Sequence, residues 1–225
     1  MKGDNSLDDY YKYINDTSKS IETKIDEQAD EFWQWSKNQK QIYEWEANYS
    51  EWGLINTLLS RLVHSVDCTQ WSQRTINNIL YLVARDNECE TLVDTLSENP
   101  SCLIYISREG LKYQDDSARW QFAHYLSKIA EHPEAEELIL SYCNDHAEYV
   151  RRRALLALGY INSAYAEEKA IEAWNSNMEY PKIAALETMY QIRSMQLEKY
   201  LKLGLNDSFE HVKRNSERII SQLEE

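Results

Sequence analysis

Apolar residues recur along this chain at intervals of three and four, the spacing that lines one face of a 3.6-residue helix. In YVRRRALLALGYI at 149–161, Val150, Ala154, Leu158 and Ile161 fall on one such face and form the predicted core seam. Similar segments read as helices at 51–66, 69–84, 89–98 and 101–110, and 6–48 reads as one or two longer helices. With 5 Gly and 3 Pro in 225 residues, turn-makers are too few for a many-stranded sheet protein. The predicted fold class is all-α.

The helical pattern is periodic. VRRRALLALGYI at 150–161 aligns with PKIAALETMYQI at 181–192 and VKRNSERIISQL at 212–223 by successive shifts of 31, and ARWQFAHYLSKI at 118–129 is a weaker copy 32 residues earlier. Second amphipathic helices lie between copies at 133–143, 164–174 and 194–205. Each copy opens on an acid three residues before a base: Asp116 and Arg119, Glu148 and Arg151, Glu179 and Lys182, Glu210 and Lys213. An acid in a first turn complements the helix dipole, and a base three residues on is within reach of it. Arg151 is therefore expected to pair with Glu148 or with an acid of the adjacent turn.

Two helices per 31 residues make a helical-hairpin repeat, which buries its apolar faces by stacking on its neighbours. The architecture predicted is a right-handed α-solenoid with an irregular helical N-terminal part. DHAEYVRRRALLALGYI at 145–161, an acidic turn, Val-Arg, then Ala and Leu at core spacing, resembles the second helix of a HEAT repeat. The resemblance covers about 115–223; Pro181 departs from it where Val is usual, and Ser216 and Glu217 interrupt its small apolar positions. Residues 1–66 are read as aromatic-rich, acidic N-terminal helices and 67–225 as HEAT-like repeats packed as one body.

Charge narrows the partners. The net charge is -14, and residues 1–145 carry 13 basic and 26 acidic side chains against 11 and 12 in 146–225. Such a balance argues against broad nucleic-acid binding, which relies on clustered Lys and Arg, and for a basic protein partner. The acidic, apolar-poor amino terminus and the lack of a long apolar window predict a cytoplasmic protein with neither leader nor membrane span. Cys68, Cys89, Cys102 and Cys143 occur singly and read as reduced core thiols.

Candidate partner-binding residues fall into two sets. Acids Asp86, Glu88, Asp115 and Asp116 would attract a basic surface. Trp120, His124, Arg152, Arg153 and Tyr160 share a stripe with Gln121, Lys128, Leu156, Ile183 and Ala184, on the side that faces the concave surface in HEAT-like arrays; it reads as an interface or as a solvated basic face. Trp45, Tyr49 and Trp52, with Phe32, Trp33 and Trp35, are assigned to the core of the first helices. No catalytic residues, metal or cofactor are predicted: the histidines form no HExxH, no Gly-rich phosphate loop or GxSxG occurs, and Cys143 with His146 alone is weak evidence for a metal.

Size, acidity and helical repeats together resemble immunity proteins that protect bacteria from nuclease toxins in contact-dependent growth inhibition. That resemblance implies occlusion of a toxin's basic RNA-binding cleft. The alternatives are a HEAT-like scaffold holding a peptide or helix in its concave groove, and a HEAT-like enzyme of the bilin-lyase or base-excision type.

Overall fold

The computed structural model describes residues 5–40 and 42–224. Residues 1–4, part of the segment read as lacking a leader, and Gln41, inside the 6–48 helical span, lie outside that description. Among the described residues every regular element is helical. The chain divides into two compact units, Met1–Ala118 and Arg119–Glu225.

The first unit contains α1 (Asn5–Asn15), α2 (Ile21–Ser36), α3 (Trp52–Ser65), α4 (Gln73–Arg85), α5 (Thr91–Ser97) and α6 (Pro100–Gly110). Ser20, Ser72 and Asn99 cap α2, α4 and α6 by accepting from Thr23, Thr75 and Cys102 backbone N–H groups. The C-terminal end of α1 is capped by a buried cation: Lys24 Nζ donates to the carbonyls of Ile14 at 3.1 Å and Asp16 at 2.5 Å. Phe32 is fully buried, with the rings of Tyr49, Trp52 and Trp35 centred 4.9, 5.0 and 5.5 Å from its own. The predicted aromatic core therefore forms, except for Trp33. That ring is 48% exposed and lies under the Lys37 ammonium, 3.1 Å from its centroid, because residue 33 is turned about 100° from Phe32 around α2, off the buried face.

The second unit is built from α7 (which begins at Asp116 and ends at Tyr125), α8 (Ala135–Tyr142), α9 (Glu148–Tyr160), α10 (Ala166–Asn175), α11 (Glu179–Gln191), α12 (Leu197–Leu205) and α13 (Glu210–Glu224). Helix α11 packs against α9, α10 and α13, and α12 packs on α13. Leu155, Leu186, Met189, Val212 and Ile219 fill the space between them. In the seam of α9, Val150, Ala154 and Leu158 are fully buried, whereas Ile161 lies past the helix end and is half-buried.

Two turns 31 residues apart repeat bond for bond. Asn162 and Arg193 adopt left-handed backbone (φ 51 and 52°) and end α9 and α11. Ser163 N then donates to Leu158 O at 3.0 Å and Ser194 N to Met189 O at 2.9 Å, satisfying the last carbonyls. The same serines open the next helix, their hydroxyls accepting from Tyr165 N and Gln196 N at 3.1 and 3.0 Å. Ser216, an interruption of the repeat pattern, is buried; its hydroxyl donates to Val212 O at 2.9 Å. A Cβ on Gly204 would lie 2.1 Å from that hydroxyl, so the pair is small because α12 and α13 approach closely there.

The acid-base steps differ from the expected i,i+3 pairs. Glu148 and Glu210 pair with the bases four residues on, Arg152 at 3.1 Å and Arg214 at 3.2 Å. Arg119 and Lys182 instead reach the turn before the next long helix, Arg119 Nε to Asp145 Oδ2 at 2.8 Å and Lys182 Nζ to Asp207 Oδ2 at 2.6 Å. Asp145 and Asp207 also accept from the backbone N–H two residues on, which fixes each carboxylate against its own turn. Burial pushes the Asp207 carboxyl up, but Lys182 and the Phe209 N–H outweigh it and hold it below its ordinary value. The position homologous to these acids between them is Ser176, and Arg151 donates to the carbonyls of Asp145 and His146 at 2.7 and 2.9 Å.

Candidate functional site

The predicted site residues fall into two groups. In the first unit, Asp86 and Glu88 line a cavity of about 250 Å³ with Glu46, Trp52, Arg85 and Cys89. The α4–α5 turn places them there. Glu90 takes left-handed backbone (φ 53°) and offers no side-chain cap to α5, so the Asp86 carboxylate does so, accepting from Leu92 N at 2.8 Å. Asp86 is consequently buried, not presented to solvent, and burial raises its pKa to about 6. Asp115 is bound to Arg85, which also lies 3.9 Å from Glu46. Glu88 and Asp116 are the exposed members of the acidic set. Cys89, predicted as a core thiol, is exposed, because the turn ends the apolar face before it.

A carboxyl whose folded pKa lies above its unfolded value near 3.9 binds more protons when folded, so stability falls as pH rises through about 4 to 6. Asp86→Asn keeps a carbonyl for Leu92 N and removes the buried charge. It is expected to stabilise the protein by about 2 kcal/mol at pH 7 and to flatten that window. Urea melts at pH 4 and pH 7 test this; equal wild-type and variant midpoints at pH 7 would contradict it.

In the second unit the stripe assembles from α7, α9 and α11. The Arg152 guanidinium lies 4.7 Å from the Tyr149 ring centroid and 4.9 Å from that of Tyr180, while Glu148 holds its Nε. Arg153 lies 5.1 Å over Trp120, whose ring meets Tyr149 edge-on at 5.4 Å. The His124 ring is 6.2 Å from Tyr160, and burial, then Arg153 and Lys128, lower its pKa to about 4, leaving it neutral at pH 7. Tyr149, Tyr160 and Tyr180 remain 38, 57 and 51% exposed, so the rings pave a surface. Gln121 and Ala184, assigned to the same stripe, are buried beneath it.

Sequence reasoning missed Tyr149 and Tyr180, although they occupy the same position of successive 31-residue copies. Cys143 is kept protonated, burial raising its pKa to about 12, and the ring of His146 contacts Asp145 and Arg119 at 3.5 and 3.0 Å. Among the described residues no group of three His, Cys, Asp or Glu is placed to hold a metal, and no helix is long and apolar enough to cross a membrane.

Compared with known protein families and with curated proteins, the chain matches no family and none of those proteins.

Proposed function

We propose that this chain is a non-catalytic protein-binding module, a right-handed α-solenoid of HEAT-like hairpins with an irregular helical front, working in the cytoplasm. The observation that carries the binding reading is the paved stripe: Arg152 between two half-exposed tyrosines and Arg153 on Trp120, the aromatic and arginine composition that interface anchors favour. The turn-to-helix pairs Arg119–Asp145 and Lys182–Asp207, with the bond-for-bond repetition of two turns, support the stacked-hairpin architecture.

Within that class we favour an immunity protein of a contact-dependent growth inhibition system, which occludes a basic nuclease toxin. The net charge of -14 supports it, with Glu88 and Asp116 available to steer a cationic partner. The stripe also suits the alternative, a scaffold holding a peptide or helix along Trp120, Arg152, Arg153 and Tyr160.

The deciding experiment titrates the purified protein with the product of the gene next to its own, by calorimetry and by nuclease assay. Nanomolar binding with loss of nuclease activity supports immunity; absence of binding sinks it. Exchanging Glu88→Gln and Asp116→Asn together is expected to weaken a basic partner at least tenfold, mainly through the association rate. Silence of that pair, combined with loss of binding in Arg152→Ala, would assign the interface to the scaffold reading.

A further inference from the structure

Among the partly buried arginines, Arg85, Arg119 and Arg152 meet the acids Asp115, Asp145 and Glu148, and Arg151 donates to the carbonyls of Asp145 and His146. Arg153 breaks the pattern. It is half-buried, its Nε is shielded from solvent without an acceptor, and its guanidinium lies over the Trp120 ring with the His124 ring near enough to feel its charge. Leaving a shielded guanidinium donor unsatisfied is destabilising. The chain carries 38 acids, yet among the described residues none forms an ion pair with it. Beside it, His124 Nδ1 is likewise shielded and without an acceptor or donor, and Tyr160 stands exposed at the edge.

We propose that Arg153, backed by Trp120 and flanked by His124 and Tyr160, is a subsite for one carboxylate, supplied by an Asp or Glu side chain of the partner protein. Because Nε is shielded, a carboxylate would meet the planar guanidinium through its two Nη groups, in two parallel hydrogen bonds. A guanidinium without an acid partner suits a monoanion, and its neighbour Arg152 is already held by Glu148. The partner is thus a protein of net positive charge that bears an acidic anchor residue. The source of the carboxylate rests on the protein-binding reading; the subsite itself does not.

The test is nitrogen-15 NMR of the full chain, following the assigned Arg153 Nε–H signal during titration with N-acetyl-L-glutamic acid α-amide, which carries only a side-chain carboxylate. A saturable shift is expected, with a dissociation constant at least tenfold lower than for the isosteric N-acetylglutamine amide. No shift, or equal shifts with the two probes, overturns the subsite. So does an N-acetylphosphoserine amide binding tenfold more tightly than the glutamate probe. These comparisons use the wild-type chain, so they stand even if Arg153→Gln folds poorly. Where Arg153→Gln does fold, it should abolish the glutamate shift and weaken the nuclease domain at least tenfold. Probe binding without any protein partner would keep the subsite and sink the protein-binding reading. A partner held equally by wild type and Arg153→Gln, with the probe ignored, would sink the subsite alone.

Discussion

Leu158→Asp is expected to unfold the second unit. Leu158 is fully buried in the α9 seam, and its carbonyl receives the Ser163 N–H that closes the helix end. A carboxylate there has neither water nor a cation, and its desolvation takes several kcal/mol from a total stability of about 5–15 kcal/mol. Because hairpins bury their faces against neighbours, the loss should spread through the unit and not stay local. Circular dichroism should show a large fall in helical signal at 25 °C, while Leu158→Ala should retain the fold and lose about 2–5 kcal/mol. A thermal melt of Leu158→Asp that overlays wild type would refute the repeat register.

Asp145→Ala should cost about 3–5 kcal/mol, far more than an exposed ion pair would. Arg119 is 1% exposed and the Asp145 side chain 5%, with a second contact from Arg119 Nη2 to Oδ1 at 3.3 Å. Removing the carboxylate takes the counter-charge from a buried cation and the acceptor from the Ala147 N–H. Replacing both partners, Arg119→Met with Asp145→Leu, should recover much of the loss, since an apolar pair of similar volume leaves no charge unpaired. Urea denaturation measures each step; a single-variant loss under 1 kcal/mol would show the pair to be dispensable.

The helices of the second unit were legible because each carries its own apolar period: 212–223 lies within α13, and 150–161 and 181–192 overrun α9 and α11 by one residue each, Ile161 and Ile192. The ion pairs were not, for a geometric reason. A base three residues after an acid satisfies a local rule, yet Arg119 and Lys182 prefer acids 26 and 25 residues on, where burial strengthens the contact. Stacking decides that choice, and stacking is invisible in any single copy. In the candidate site, Trp120, Arg152, Arg153 and Tyr160 were found from one helix face, whereas the burial of Asp86 depended on the missing cap at Glu90. An acid in a polar run looks solvated until the turn that encloses it is known.

Ser176 stands where Asp145 and Asp207 stand in the flanking copies, and its hydroxyl turns back to Ala173 O at 2.6 Å. The contact between α7 and the turn before α9 is clamped by ions, as is that between α11 and the turn before α13. Between α9 and α11 the corresponding clamp is missing, and the contact relies on apolar packing with a 3.4 Å bond from Thr188 to Leu155 O. Dispersion contacts slide with little directional penalty, whereas a buried bidentate pair does not. The second unit is therefore stiff, compliant and stiff in sequence, and an elastic load along it would be taken up first at the step between α9 and α11, where Tyr149 and Tyr180 grip Arg152 from either side.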